Sequence, residues 1–149
     1  MKGYIMTPIE FFKLQAKNLF KDYKTKTKSS PEDFYEYSPK YFDMDSIVCD
    51  FDIDEDNFSL MNAQHIIACM VGFEKWTDLL KASKAELALA KLLFDNRIHI
   101  EDWNIYIAIV ERDTKIDFDD ESRLNLLEEL LNTGGFANDL QHHRLDKKG

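Results

Sequence analysis

Two helix-start signals constrain the fold of this chain more than any other feature. In each, a threonine or serine precedes a glutamate by three residues, Thr7 with Glu10 and Ser83 with Glu86. Such a capping box satisfies the free N–H groups at the start of a helix, and Pro8 suits the first helical position. Apolar residues then follow at spacings of three and four, which place them on one helical face. We therefore predict helices over 8–23 and 84–95.

The same periodicity predicts further helices. Segments 60–71, 101–112 and 120–132 each carry an apolar stripe, and shorter helices are predicted at 31–36 and 74–81. Segment 60–71 has few polar positions, so we expect it to be nearly surrounded and the most buried element. The predicted fold class is all-α, a compact irregular bundle of about five to seven helices with no significant sheet.

Composition favours one globular domain. Of the 149 residues, 44% are apolar and 32% charged, and the chain has only 5 glycines and 3 prolines. These proportions are globular, and so few turn residues favour helices with short connections. The apolar runs are far shorter than the ~20 residues of a membrane-spanning helix. We predict a single helical domain over 1–149, with C-terminal helices within 84–132 and a frayed tail at 136–149.

The cysteines and the N-terminus favour a cytoplasmic protein. Two cysteines, Cys49 and Cys69, are too few for a disulfide scaffold. The first residues do not continue into the apolar run that a signal peptide needs. We expect both thiols to be reduced, and we predict no association with a membrane.

The formal charge of −9 is concentrated in residues 43–56, the acidic segment. The segment alternates apolar and acidic residues, but a lone strand would have no partner, so we predict a loop with one helical turn. It holds seven acids and no base, and no nearby base relieves their repulsion. The acids are Asp43, Asp45, Asp50, Asp52, Asp54, Glu55 and Asp56.

Charge also indicates what the acidic segment can bind. A net negative protein repels nucleic-acid phosphates and attracts basic surfaces. The seven acids are therefore the predicted partner-binding site, with a basic protein surface as the partner. A plain solvated loop is the alternative interpretation.

The acidic segment does not match a calcium-binding loop. Asp50, Asp52 and Asp54 occupy the first three ligand positions of such a loop. Its sixth position, however, is Glu55 rather than glycine, and its twelfth is Met61 rather than glutamate. We predict no metal and no cofactor, and leave open only a weak divalent-cation site at this segment.

Two alternatives to protein binding remain. His65 and Cys69 share a helix face, but they are only two of the four ligands that zinc needs. As a catalytic pair with Cys69 as the nucleophile, they lack an identifiable Asp or Asn partner. An enzymatic site would have to be assembled from distant residues such as His65, His99 and Glu101. In the second alternative, the basic loop 24–28 binds nucleic acid, or the acidic segment mimics its phosphates.

A short motif follows the predicted helix 60–71. Gly72 and Phe73 are followed by two residues and Trp76, then by two more and Leu79. Together with the alanine-containing helix before it, this motif resembles a small helical module of bacterial proteins whose members are often labelled glyoxalase-related. The resemblance covers residues 9–82 and implies a helical module of unknown function. It implies no glyoxalase chemistry, because true glyoxalases bind a metal through His and Glu on strands.

The motif residues themselves indicate a structural role. Gly72 suits the left-handed residue that ends a helix, and Phe73 and Trp76 can fill the angle between two helices. Leu79 continues the same apolar face. No catalytic constellation is present elsewhere in the sequence. We therefore predict an acidic protein-interaction module, acting as a regulator, inhibitor or antidote-like partner of a basic protein.

Overall fold

The computed structural model describes residues 5–134 and 145, and it confirms the all-α fold class. One isolated antiparallel bridge joins Thr27 and Glu36, and this part of the chain contains no strand. None of its helices is long and apolar enough to cross a membrane. The seven helices are α1 Pro8–Tyr23, α2 Met44–Asp50, α3 Leu60–Met70, α4 Trp76–Leu80, α5 Lys84–Asp95, α6 Ile100–Thr114 and α7 Asp120–Thr133.

Both capping boxes form, which confirms the predicted starts of α1 and α5. The Glu10 N–H donates to Thr7 Oγ1 at 3.2 Å, and the Thr7 N–H donates to Glu10 Oε1 at 2.9 Å. Ser83 and Glu86 make the same two bonds at 3.1 and 2.9 Å. Each box thus satisfies two backbone donors within its own first turn.

Two short segments differ from the predictions. Residues 31–36 are not helical, because the backbones of Thr27 and Glu36 exchange two hydrogen bonds of 2.8 Å and close the intervening residues into a loop. The acidic segment contains the 7-residue helix α2 rather than a single turn. Asp43 stabilises its start, since Asp43 Oδ1 accepts the Ser46 N–H at 3.2 Å.

The prediction that α3 is nearly surrounded is wrong on one side. Ala63, Ile66 and Ile67 are buried, whereas Met61 is 76% exposed and His65 is also exposed. An apolar composition predicts burial only where neighbouring elements cover the helix. The exposed side of α3 is the part that contributes to the candidate site.

The described chain falls into two compact units. Residues up to Ile67, together with Leu145, form the first unit, and residues from Ala68 to Gly134 form the second. The prediction of one domain over 1–149 stays a prediction. In the first unit, buried apolar side chains come from α1, from α2 and the segment just before it, and from α3: Phe12, Ala16, Leu19, Tyr23, Phe42, Met44, Ile47, Ala63, Ile66 and Ile67.

Asp22 connects α1 to the chain that leads into α2. Its side chain is almost fully buried, with 2% exposure. Its carboxylate accepts the backbone N–H groups of Lys40 at 2.9 Å, Tyr41 at 2.9 Å and Phe42 at 2.8 Å. These three donors lie outside any helix or sheet, so no regular element supplies an acceptor for them. The buried Asp22 carboxylate supplies it instead. The path of the chain just before α2 therefore depends on this side chain.

The second unit packs around Trp103, which is 2% exposed. It shares a core cluster with residues of α5, of α6, of α7 and of the α5–α6 connection: Leu93, Ile98, Ile107 and Leu127. Trp76, which the motif placed between two helices, is only half-buried. The main buried tryptophan of this unit is thus Trp103.

Gly72 ends α3 in a left-handed conformation with φ +98°. The Phe73 N–H donates to the Ala68 carbonyl at 2.9 Å and the Gly72 N–H to the Cys69 carbonyl at 3.2 Å, the two bonds of a Schellman motif. A Cβ at this position would also lie 2.8 Å from Cδ1 of Ile100. Backbone conformation and lack of space both favour glycine here.

The two tryptophans allow a matched test of the second unit's core. We expect Trp103→Ala to lower the free energy of unfolding by about 3–5 kcal/mol, because it removes a fully buried aromatic side chain. Trp76→Ala deletes the same atoms from a half-buried position and should cost less. Chemical denaturation of both variants measures the difference. Equal losses would contradict the assignment of Trp103 as the centre of this core.

Asp22→Ala tests the connection between α1 and α2. The substitution leaves three backbone N–H groups without their acceptor, so we expect the free energy of unfolding to fall by about 2–5 kcal/mol. Asp22→Asn keeps one acceptor oxygen and should give an intermediate loss. Asp33→Ala, at an exposed aspartate of the following loop, is the control and should change stability little. A near-parental denaturation midpoint for Asp22→Ala would refute the role of this carboxylate.

Candidate functional site

A cleft of about 270 Å³ lies in the first unit and is lined by the residues after α2 and by the first two turns of α3. Its walls combine apolar side chains with carboxylates, amides and an imidazole. We call it the acidic cleft. The apolar lining residues are Phe51, Ile53, Phe58 and Ile66, and the polar ones are Asp52, Asp54, Asn57, Asn62 and His65.

Asp52 reaches the acidic cleft from the turn that ends α2. Its φ of +51° lies in the left-handed region, which aspartate adopts more readily than most non-glycine residues. The N–H of Ile53 donates to the Val48 carbonyl at 3.2 Å, a bond typical of helix ends with a left-handed residue. The turn leaves Asp52 exposed while Phe51 and Ile53 are half-buried.

After this turn, exposed and half-buried residues continue to alternate, but the chain forms no strand. Asp54 and Asp56 are exposed, and Asp54 Oδ1 accepts the Asp56 N–H at 3.1 Å. The Asp54 carbonyl accepts the Asn57 N–H at 3.1 Å, which closes a turn. The period of two in this segment therefore reflects a series of turns stabilised by aspartate side chains.

Asp43 and Asp45, the first two of the seven predicted partner-binding residues, belong to the start of α2. Asp43 is its N-cap, and Asp45 lies in its first turn. A negative charge at a helix N-terminus stabilises the helix. Both residues therefore have a structural role in α2.

Tyrosine hydroxyls bind the last two predicted residues, Glu55 and Asp56. Tyr37 donates to Glu55 Oε2 at 2.6 Å, and Tyr35 donates to Asp56 Oδ1 at 2.5 Å. The hydrogen bond to Asp56 raises the pKa of Tyr35 to about 12. Burial, and then the hydrogen bond to Glu55, raise the pKa of Tyr37. These two carboxylates connect the acidic segment to the loop before α2.

The structure brings Lys26, which is distant in sequence, to the acidic segment. Its Nζ donates to the Glu55 carbonyl and lies 4.3 Å from the centre of the Tyr23 ring and 4.6 Å from that of Tyr35. Lys28 also lies over Tyr35, at 4.3 Å. Ammonium groups held over aromatic rings stabilise the loop, an arrangement that favours a structural role for these lysines over phosphate binding.

The remaining predicted residues are Asp50, Asp52 and Asp54. All three are exposed, and Asp52 and Asp54 line the acidic cleft. The structure thus gives the seven acids different positions and brings two of them together with apolar walls. In the part of the chain that the structure describes, no group of three or more His, Cys, Asp or Glu is placed to hold a metal ion.

Sequence reasoning missed Asn57, Phe58 and Asn62 as residues of the acidic cleft. Asn62 does carry a local signal, because its Oδ1 accepts the Ser59 N–H at 2.8 Å and its own N–H donates to Ser59 Oγ at 3.3 Å. That signal marks the start of α3. Only the approach of the chain after α2 to this helix turns it into a cleft wall.

The residues of the enzymatic alternative belong to two units. His65 lines the acidic cleft in the first, whereas His99 is the N-cap of α6 and Glu101 lies in its first turn, in the second. Burial raises the pKa of the Cys69 thiol. A raised pKa lowers the thiolate fraction at neutral pH, which makes Cys69 a poor nucleophile.

A second, smaller cavity of about 120 Å³ lies in the second unit, where Gly72 and Phe73 form part of its wall. Arg123 also lines it, and the Arg123 Nε is buried with no hydrogen-bond partner among the described residues. Two acids, Glu86 and Asp120, line the same cavity, and the Arg123 guanidinium group pairs with Glu111 at 3.4 Å. The acidic cleft is the larger of these two and combines exposed carboxylates with aromatic walls, which makes it the stronger candidate site.

Comparison of the chain with protein-family models, with curated proteins and with solved structures finds no match in any of the three. The resemblance of residues 9–82 to the bacterial helical module therefore stays a prediction.

The bond between Tyr35 and Asp56 predicts a pH effect. Asp56 raises the pKa of Tyr35 from 10.0 to about 12 in the folded protein. The unfolded chain loses this proton first, so the stabilisation is complete below pH 10 and is lost as the pH rises towards 12. We expect Asp56→Asn to move the ionisation of Tyr35 back towards the ordinary tyrosine pKa. Ultraviolet titration measures it, with Tyr35→Phe to assign the step, and an unchanged step in Asp56→Asn would contradict the bond.

Proposed function

We propose that this chain is an acidic interaction module that binds a basic segment of another protein in the acidic cleft. The observation that carries the proposal is the placement of Asp52 and Asp54, both exposed, in one cleft with Phe51 and Phe58. Carboxylates beside aromatic rings are suited to a side chain that combines a cationic head with an apolar stem.

The side chains of lysine and arginine both carry a cationic head on an apolar stem. Their methylene stems pack on apolar surface while the charged head stays at the polar edge. Arginine fits better, because its guanidinium group stacks on aromatic rings and binds carboxylates through two parallel hydrogen bonds. Asn57 and Asn62 add amide oxygens that accept further N–H groups from a bound segment.

The net charge supports the same kind of partner. With a formal charge of −9, the chain attracts a basic protein before contact and speeds its association. A module of this kind acts as a regulator, inhibitor or antidote-like partner when the basic segment it covers is needed by its target. The cleft supplies the chemistry of recognition and leaves the identity of the target open.

A double substitution tests the acidic cleft directly. We expect Asp52→Asn with Asp54→Asn to weaken binding of a fluorescent arginine-rich peptide about tenfold or more, since two charges facing the peptide are lost. The control is Glu32→Gln with Asp33→Asn, which removes the same charge from an exposed loop outside the cleft. Fluorescence anisotropy measures both affinities. Equal affinity of the cleft variant and the parent, or equal losses in cleft and control variants, would contradict the proposal.

The same cleft variant distinguishes a peptide site from a cation site. Folding should be unchanged or slightly more stable, because repulsion between neighbouring acids is reduced. Association of the parent with the peptide should slow as salt rises, since charge is screened over about 10 Å at 0.1 M salt. Calorimetry with Ca²⁺ and Mg²⁺ tests the weak-cation alternative. Saturable cation binding that is lost in the variant would favour a metal site over a peptide site.

A further inference from the structure

α6 buries one face and exposes the other. Trp103 and Ile107 belong to the core of the second unit, whereas Ile105 is 59% exposed and Ile109 is 43% exposed. Large aliphatic side chains at such exposures on one helix form an apolar strip without a covering element in the described chain. The centre line of this outward face consists of four exposed residues at spacings of four, three and four: Glu101, Ile105, Ala108 and Arg112.

The order of charge and size along these four residues matches that of an antiparallel copy of the same helix. If a second copy of α6 lies antiparallel to the first, with the axis of symmetry between residues 106 and 107, Glu101 lies opposite Arg112 of the second copy. Ile105 then lies opposite Ala108 of that copy. Two-fold symmetry repeats both pairings, so opposite charges close each end and a large residue meets a small one twice in the middle.

The charges at the two ends of α6 favour the same orientation. Glu101 and Asp102 lie in its first turn, Arg112 lies in its last turn, and Lys115 is its C-cap. Antiparallel pairing places Arg112 and Lys115 of one copy beside the acidic first turn of the other, while Glu111 and Asp113 leave the last turn without a net positive charge. Arg112 also contacts Asp113 at 3.1 Å, but these side chains are 74% and 60% exposed, so this ion pair competes only weakly.

We propose that the outward face of α6 is the interface of a two-fold symmetric homodimer. The order of charge and size along this face is self-complementary, which favours a second copy of this chain as the partner. Binding to a different protein would not require a self-complementary order. One helix pair buries little surface, so the dimer is weak and depends on concentration. The proposal concerns the second unit and is independent of the acidic cleft.

Charge exchange provides the test. Sedimentation equilibrium should show that the parent is in monomer–dimer equilibrium. The protein concentration should run from about 10 µM to about 1 mM, which is the affinity range of a small interface. Glu101→Arg places two arginines opposite each other at each end of the helix pair, and Arg112→Glu places two glutamates there. Each variant alone should therefore dimerise about tenfold or more weakly than the parent. An equimolar mixture of the two variants should form heterodimers, because each end of the mixed pair then joins an arginine to a glutamate.

The heterodimer follows from the positions that the two variants present to each other. At one end, the new arginine of the first variant meets the new glutamate of the second, which restores an ion pair with reversed sign. At the other end, the unchanged Arg112 of the first variant meets the unchanged Glu101 of the second, which is the parental pair. Mixing should therefore recover most of the affinity that each variant loses alone.

Control variants distinguish this interface from a general effect of surface charge. Glu129→Arg makes the same charge change on the exposed surface of α7 and should leave the dimer unchanged. Ile105→Asp should abolish dimerisation, and circular dichroism should show all variants to be helical. A parent that is monomeric at every concentration, single variants that dimerise like the parent, or a mixture without heterodimers would each overturn the proposal. Capture of a different protein by a monomeric parent, if it is lost in Ile105→Asp and kept in Glu129→Arg, would assign this face to a foreign partner instead.

Discussion

The buried carboxylate of Asp22 is the interaction on which the first unit depends. It is the acceptor for three consecutive backbone N–H groups, those of Lys40, Tyr41 and Phe42. The side chain thereby fixes the path of the chain between α1 and α2, and with it the residues that follow α2 and form one wall of the acidic cleft. A single charge buried with several donors is favourable only when all of them remain paired, so this connection is well defined rather than adaptable.

The acids of this chain are divided between folding and recognition. Asp43 starts α2, and Glu55 and Asp56 accept hydrogen bonds from Tyr37 and Tyr35. Those acids reduce the repulsion that seven close charges would otherwise produce, because each has donors close to it. Asp52 and Asp54 remain exposed at the acidic cleft. Concentrated charge in a sequence therefore does not define a binding surface until the internal partners of each group are known.

The second unit shows the same division for apolar residues. Tryptophan and isoleucine occur along α6, and helical periodicity places Trp103 and Ile107 on one face, which is buried. Ile105 and Ile109 lie on the other face and are exposed, which concentrates apolar surface beside the charges at the two ends of the helix. Because periodicity predicts faces and not what covers them, the exposed strip on α6 became visible only in the structure.

Sequence alone determined the helices that begin with local signals. The capping boxes at Thr7 and Ser83 join residues only three apart, so the sequence itself shows where these helices begin. Tertiary structure decided the rest through contacts between distant residues. Asp22 binds backbone groups 18 to 20 residues away, and Tyr35 binds Asp56, 21 residues away. No local pattern marks such pairs, because their partners are chosen by how elements pack. For that reason the acidic segment was predictable as charge, whereas the cleft was not.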